Sequence, residues 1–418
     1  MRFIMRNFDK TNKMAICCTL LFLVELVVIF RDFVPVSTLK VVVYMLCFVL
    51  FLGITRHSGV LRCNKTKSFW ILTWLYLVMM FLRLCFDFLF PWKGFFIYLS
   101  PLTILFFYFM TMLMPCYFIR RVDVELDYKS FALIAGVCLC FYLFYSYNEI
   151  ISGVVETATT GGQYAGVGGI DIITYGHLGL SLVLIAVYIL MYLDKKFSLL
   201  SILFFVIGFS AMILSGSRSP FVGLVLCLII LLRSRYSKWY YAIIWIGVVI
   251  ISFNYFKAEI VGLNGYLESI GISSFGRVVN TFIGDGFSID EVSSGRDEIW
   301  NIGWNMFLQN PILGVSYLLP DDSYVHNIFI EQFMALGIIG GAIFVVINMK
   351  TILFGWKMIK ASPKMVLVYA LFIQYLILGC FSRTIIALGA YWLFMFITIR
   401  NYERIEQNTY SFSNNPYI

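Results

Sequence analysis

The residues best suited to chemistry in this sequence are a few arginines and one histidine beside long apolar segments. Arg218 lies in the run 215–220, which reads Ser-Gly-Ser-Arg-Ser-Pro, and Arg296 opens a run of acidic and aromatic residues. Arginine carries a fixed charge and a planar fork of donors that suits phosphate. His326 stands where the apolar segment 328–348 begins, and an imidazole there can accept a proton or hold a phosphate oxygen. Each residue could equally have a structural role, as an arginine at the membrane interface, a local ion pair or an interfacial histidine, so these residues by themselves leave both an anion site and a structural role open.

Arg83 and Asp87 form a second constellation, because they lie four residues apart inside an apolar segment. Residues at this spacing share a helix face and can pair. Charged side chains within a membrane span are energetically costly and commonly functional. A purely structural ion pair is the alternative.

The sequence has no recognisable motif for binding a nucleotide or a metal ion. It contains neither GxxxxGK[ST] nor HExxH, no GxSxG elbow, and no Cys and His spacing typical of zinc. We therefore expect neither a cofactor nor a metal ion.

Composition excludes a water-soluble protein. Residues of the AVILMFWYC set make up 61% of the 418 positions, and charged residues only 13%. Soluble domains carry about 25% charged residues, and mean hydropathy here is +0.88. Although the net charge is +8, the basic residues form no patch of the kind that nucleic acid requires.

Apolar segments long enough to cross a bilayer recur along the chain. We predict an all-α, polytopic integral membrane protein with about twelve transmembrane helices, at 14–30, 39–55, 69–90, 95–119, 130–151, 175–193, 198–214, 217–232, 239–255, 328–348, 365–382 and 384–399. Alternate connections then place 22 of the 31 Lys and Arg residues on one side of the membrane. The positive-inside rule puts that side and both termini in the cytoplasm.

These segments divide the chain into four regions. Residues 1–255 would hold nine transmembrane helices, 256–327 one long periplasmic loop, 328–399 three further helices, and 400–418 a cytoplasmic tail. A loop as long as 256–327 is commonly functional. Within it, 294–308 has the pattern of an amphipathic helix that could lie on the membrane interface or pack as a lid.

Four short motifs, in this order, resemble those of the bacterial O-antigen polymerase and O-antigen ligase superfamily. They are a small-residue turn with Ser-Arg, an Arg before a helix with Trp, a Pro-hydrophobic-Gly turn, and His-Asn before a glycine-containing helix. The matching segments are Leu214-Ser215-Gly216-Ser217-Arg218-Ser219-Pro220, Gly295-Arg296 through Trp300, Asn310-Pro311-Ile312-Leu313-Gly314, and His326-Asn327 with Leu336-Gly337-Ile338-Ile339-Gly340.

The resemblance implies a GT-C-type glycosyltransferase in the bacterial inner membrane that works without a metal. Its substrates would be undecaprenyl-pyrophosphate-linked oligosaccharides on the periplasmic face, with membrane lipids around it and a chain-length regulator as a candidate partner. Carried over residue by residue, His326, Arg296 and Arg218 become the expected catalytic residues. The substrate-binding candidates beside them are Arg277, Arg83, Asn327, Ser217, Trp300 and Tyr324.

The resemblance favours an O-antigen polymerase that joins repeat units. An O-antigen ligase that transfers the glycan to lipid A-core, and a flippase for the same lipid-linked sugar, are the alternatives. Polymerases of this family often carry an essential Arg in the shorter outer loop, here 152–174, which contains no basic residue. Either Arg83 supplies that charge, or the two-loop scheme does not apply.

Overall fold

A computed structural model describes residues 14–24, 36–55, 63–90, 101–121, 125–147, 150, 172–236, 255, 257–269, 296–320 and 323–413. These residues form helices and turns, and no strand occurs among them. Within these described ranges, seven helices are long and apolar enough to cross a membrane, namely Asn64–Leu89, Leu102–Arg121, Tyr128–Tyr145, Ile172–Tyr192, Lys195–Ser215, Ile328–Ala361 and Pro363–Phe381. The predicted class, an all-α polytopic membrane protein, is confirmed.

The number of twelve spans stays a prediction. The predicted span 239–255 lies almost entirely outside the described residues, as do residues 25–30 of the predicted span 14–30. The predicted spans 217–232 and 384–399 correspond to helices Ser219–Arg235 and Gly389–Ser413, which are not among the seven.

The chain divides into two compact units. One consists of Ala15–Cys47 and Leu126–Val292, and we call it the middle unit. Its described helices are α1 (14–22), part of α2 (Val36–Thr55), α6 (Tyr128–Tyr145), α7 (Ile172–Tyr192), α8 (Ser198–Ser215), α9 (Ser219–Arg235) and α10 (Lys257–Ser269).

Helix α7 is the central element of the middle unit. Its apolar residues occur on every face, and nearly all of them are buried, as expected of a helix enclosed by other helices. It packs against α6, α8 and α9. Gly179 and Gly208 let α7 and α8 approach closely, since a Cβ built on either glycine would lie 2.6 Å from the carbonyl oxygen of the other.

The other unit combines Met1–Met14, Phe48–Glu125 and Ser293–Ile418, and we call it the terminal unit. Its helices include α3 (Lys67–Leu89), α4 (Pro101–Tyr108), α5 (Met114–Arg121), α11 (Arg296–Gln309), α12 (Ile328–Ala361), α13 (Val366–Phe381) and α14 (Gly389–Ser413), with a π-helical turn at Phe109–Leu113 between α4 and α5. An aromatic cluster fills the centre. There the Tyr76 ring of α3 lies 5.4 Å from Phe344 of α12 and 5.8 Å from Trp392 of α14.

Helix α12 is interrupted near its start, at Gly337, whose φ of 65° and ψ of −166° are not helical. The chain from Pro311 to Val315 docks into this break. The backbone N–H of Ile338 donates to the carbonyl of Pro311 at 2.7 Å, and that of Val315 donates to Met334 at 2.8 Å. The break exposes backbone groups that a continuous helix would satisfy internally, and the docked segment satisfies them instead.

The amphipathic helix predicted at 294–308 corresponds to α11, Arg296–Gln309. Its apolar side joins a buried cluster of Met306, Leu319, Val325 and Met334, with Ile299, Trp300, Val315 and Ile330 packed around it. Helix α11 therefore packs on the start of α12 and on the segment 310–327 that connects the two helices.

Helix α14 continues well past residue 399, where the predicted cytoplasmic tail begins. Arg400 and Glu403 are both buried, with Nη1 of Arg400 3.1 Å from Oε2 of Glu403. Trp70 of α3 donates its indole N–H to Oε1 of Glu403 at 2.7 Å. Residues 400–403 therefore belong to the packed core of the terminal unit, because their polar groups find partners within it.

Candidate functional site

His326 has an unusual backbone conformation. Its φ is +58°, and no other non-glycine residue in the described part of the chain has a positive φ. Left-handed backbone is uncommon outside glycine, although His tolerates it better than most residues, and such conformations often mark functional sites. The imidazole is half-buried, and its ring centroid lies 4.2 Å from that of Tyr324. Tyr324 in turn donates its hydroxyl to the carbonyl of Ser382 at 3.1 Å.

Asn327 caps helix α12. Its side-chain oxygen accepts the backbone N–H groups of Phe329 at 3.0 Å and Ile330 at 3.3 Å. This is the standard N-cap arrangement, worth about 1 kcal/mol. The side-chain oxygen of Asn327 thus starts the helix, while the extended backbone of this residue (φ −148°) turns the chain out of the helix toward His326.

Arg296 and Trp300 stand one turn apart at the start of α11 and are both half-buried. Gly303 allows this helix to approach the residues before His326 closely, because an added Cβ would lie 2.9 Å from the side chain of Val325. The indole Nε1 of Trp300 is buried and has no hydrogen-bond partner among the described residues. Packing of α11 thus places both predicted site residues on the element that contacts the residue before His326.

The predicted pair of Arg83 and Asp87 forms. The Nε of Arg83 donates to Oδ1 of Asp87 at 2.8 Å, and the guanidinium also lies over the Phe86 ring at 4.9 Å. The other oxygen, Oδ2 of Asp87, accepts the backbone N–H of Tyr317 at 3.0 Å. The guanidinium proposed for substrate is therefore already engaged by a carboxylate.

Tyr317 is buried, and its hydroxyl contacts that of Thr384. Burial raises the pKa of Tyr317 well above its ordinary value, with nearby Glu331 contributing. The phenol therefore stays protonated and available as a donor.

Sequence reasoning missed a polar network one turn inside α12. Glu331 and Gln332 are fully buried. Oε1 of Glu331 accepts the backbone N–H of Ile385 at 3.1 Å and the side-chain amide of Gln332 at 3.0 Å, and Gln332 accepts the Tyr76 hydroxyl at 2.7 Å. The network joins α12 to α3 and to the turn before α14. An acidic residue early in an apolar segment was the available signal, but its partners are distant in sequence.

Arg218 and Ser217 lie in the middle unit, at the turn between α8 and α9. Arg218 is half-buried and is the N-cap residue of α9, where its carbonyl accepts the first helical N–H groups. Ser217 has its hydroxyl 3.3 Å from that of Ser219. Ser219 in turn contacts Nε2 of the fully buried His177 at 3.0 Å. A chain of hydroxyl and imidazole groups thus supports the turn that carries Arg218.

Two glycines shape this turn. Gly216 ends α8 with a φ of 57°, the left-handed conformation that glycine adopts without steric cost. Gly176 of α7 lets the turn pack closely, because a Cβ there would lie 2.4 Å from Oγ of Ser215 and 2.9 Å from Pro220. The left-handed backbone at Gly216 and the close approach of Gly176 to Ser215 and Pro220 therefore account for small residues at this turn.

Arg277, the remaining candidate, lies outside the described residues. Within the described ranges, no group of three or more His, Cys, Asp or Glu side chains could hold a metal ion. Metal independence stays a prediction.

Comparison with known proteins gives one family match. The model of a family described as O-antigen ligase matches residues 203–345. That segment holds Arg218, Arg296 and His326 and both halves of the docked break at Gly337. No curated protein matches the chain. The predicted resemblance to the O-antigen polymerase and ligase superfamily is thereby confirmed, over the segment in which all four motifs lie.

Proposed function

We propose that this protein is an O-antigen polymerase, which joins undecaprenyl-pyrophosphate-linked oligosaccharide repeat units on the periplasmic face of the bacterial inner membrane. The observation that carries the proposal is His326, whose left-handed backbone and contact with Tyr324 occur in the segment matched by the O-antigen ligase family. Backbone strain of this kind costs about 1–3 kcal/mol and persists where the surrounding structure enforces it.

The reaction is a glycosyl transfer. A hydroxyl oxygen of the acceptor repeat unit attacks the anomeric carbon of the donor, forming the new carbon–oxygen bond. The bond between that carbon and the pyrophosphate oxygen breaks, and the electron pair leaves with the lipid pyrophosphate. His326 takes the hydroxyl proton, a role typically worth about 10²–10⁴-fold in rate.

Arg296 offsets the negative charge that develops on the departing pyrophosphate, because a guanidinium forms paired, charge-assisted hydrogen bonds with phosphate oxygens. Arg218, with Ser217 beside it, and Arg277 are proposed as further pyrophosphate ligands. No metal is needed in this scheme, as expected for the GT-C type. A chain-length regulator is the proposed protein partner.

Trp300 and Tyr324 are proposed to contact the sugars. The buried Nε1 of Trp300 lacks a partner among the described residues, so it offers a donor to a sugar hydroxyl. The Tyr324 ring is tilted by 45° against the His326 imidazole, and Tyr324 is proposed to order the imidazole and the acceptor sugar together.

A variant series tests the assignment. His326→Asn removes the imidazole but keeps a residue type that tolerates positive φ. His326→Ala removes the imidazole and that tolerance as well. We expect both variants, and Arg296→Ala, to abolish the ladder of glycan lengths on a gel while the protein remains in the membrane. A normal ladder from His326→Asn would refute the proton-acceptor role.

An O-antigen ligase is the second candidate, because the matching family carries that description. The intermediate that accumulates in a deletion strain separates the candidates. Single repeat units on lipid A-core indicate a lost polymerase, and completed polymer retained on the carrier lipid indicates a lost ligase. Absence of any periplasmic intermediate would indicate a flippase.

A further inference from the structure

The two oxygens of Asp87 serve two different partners. Oδ1 receives Arg83 from the same helix, and Oδ2 receives the backbone N–H of Tyr317, which is 230 positions away in sequence. The Arg83 and Asp87 side chains are 11% and 5% exposed. An ion pair that only neutralised itself within α3 would not need the second contact.

Tyr317 belongs to the segment 310–327, which also carries Tyr324 and ends beside α12. This segment is fastened at its start by the backbone hydrogen bonds at the Gly337 break and near its end by the hydroxyl of Tyr324 on Ser382. Asp87 fastens its middle, with help from the contact between the hydroxyls of Tyr317 and Thr384. The residue at the end of the fastened segment is His326.

A gain in folding stability does not explain why a buried ion pair such as Arg83 and Asp87 is present. Desolvation of the two charges can exceed their attraction, and replacement of such pairs by apolar residues is often neutral or stabilising. The cost in a membrane-spanning helix is higher still. A carboxylate held in one orientation by an arginine is, however, a strong acceptor for a backbone N–H.

We propose that Asp87 is a positioning residue, which holds the backbone of Tyr317 and thereby the pose of His326, and that Arg83 orients Asp87. The inference rests on the proposed function for the catalytic role of His326. It assigns Arg83 a role different from substrate binding. Neither residue needs to contact the sugar or the pyrophosphate.

Two double variants test the side-chain oxygen at position 87 that accepts the Tyr317 N–H. Arg83→Leu with Asp87→Asn removes both charges but keeps a side-chain oxygen for the Tyr317 N–H. Arg83→Leu with Asp87→Leu removes the charges and the acceptor together. The two variants therefore match in charge and differ at the one contact in question.

Hydrogen exchange of the full-length protein in nanodiscs measures that contact without reference to activity. We expect the Tyr317 amide to exchange about tenfold faster in the Leu/Leu variant than in the Leu/Asn variant, the equivalent of one hydrogen bond worth about 1.4 kcal/mol. Equal exchange in the two variants would overturn the contact between Asp87 and Tyr317.

The rate of glycosyl transfer from the lipid-linked donor measures how the loss of this contact affects the function of the two variants. We expect the Leu/Leu variant to have a kcat per folded molecule about 100-fold below that of the Leu/Asn variant, with a smaller difference in KM, since misplacement by about 1 Å can cost that much. Equal activity of the two variants, whether both high or both low, would overturn the positioning role. An inactive wild type would instead contradict the proposed function, while the exchange result would still decide the contact.

Discussion

Replacement of Gly337 by alanine should disrupt the docked break in α12. A Cβ at this position would lie 2.2 Å from the carbonyl oxygen of Ile312 and 2.4 Å from its carbon. Both atoms belong to backbone, so no side chain can move aside. The φ of 65° with ψ of −166° is moreover a region that only glycine adopts readily, at a cost of about 1–3 kcal/mol for other residues.

The steric conflict must also displace the docked segment. Its two backbone hydrogen bonds, Ile338 to Pro311 and Val315 to Met334, are each worth about 0.5–1.5 kcal/mol net. With the backbone strain, Gly337→Ala should therefore cost about 2–6 kcal/mol of folding free energy. For chains of 150–250 residues each kcal/mol shifts Tm by about 2–4 °C, and we expect a loss of at least about 3 °C here.

The assay is loss of the monomer peak of detergent-solubilised protein on heating, read as an apparent Tm because such unfolding is commonly irreversible. Gly53→Ala is the matched control. Gly53 lies in α2 with no atom within 4 Å of an added Cβ, so alanine should be neutral or stabilising by up to about 1 kcal/mol. The reasoning fails if the Gly337→Ala variant has the same apparent Tm as the Gly53→Ala variant and retains full activity, because the break in α12 would then tolerate a side chain.

Three further results are expected. Glu331→Gln should have an apparent Tm near that of wild type, because an amide oxygen still accepts both hydrogen bonds. Glu331→Leu should lower the apparent Tm, because it leaves buried donors unsatisfied at about 1–3 kcal/mol each. Equal apparent Tm values for the two variants would contradict the network. His177→Phe should reduce the proposed glycan polymerisation and Ser219→Ala should reduce it less, compared at equal protein levels, because both residues support the turn that carries Arg218. Burial alone would raise the pKa of Glu406, but hydrogen bonds and charge, first those of Lys65 at 2.5 Å, lower it. This stabilisation is present at neutral pH and is lost as pH falls through the folded-state pKa, which lies below the ordinary value of a glutamate, so Glu406→Gln should flatten the acid limb of Tm against pH.

The sequence was most informative where a local rule decides the structure. Arg83 and Asp87, four residues apart on one helix, pair as their spacing predicts. The amphipathic pattern at 294–308 placed α11 within two residues at its start and one at its end. Both results depend on helical periodicity, which is a property of neighbouring residues.

The sequence was least informative where partners are distant along the chain. Spacing gave no reason to connect Asp87 with Tyr317, or Glu331 with the backbone of Ile385. Nor did it distinguish a substrate-binding Asn327 from the helix cap that its oxygen provides. Hydropathy likewise gave no sign that α14 runs to Ser413 or that Arg400 and Glu403 pair where they are buried in the terminal unit.

Composition and motif order by themselves determined that this chain is a helical membrane protein that resembles the O-antigen polymerase and ligase superfamily, because hydropathy and short motifs are recorded residue by residue. Tertiary structure alone decided why the motifs have their particular residues. The Pro-hydrophobic-Gly turn and Gly337 of α12 are two sides of one backbone contact, which packing creates and no local pattern encodes. The left-handed backbone of His326 likewise occurs between two such contacts, the hydrogen bond of Tyr324 to Ser382 and the cap that Asn327 provides to α12.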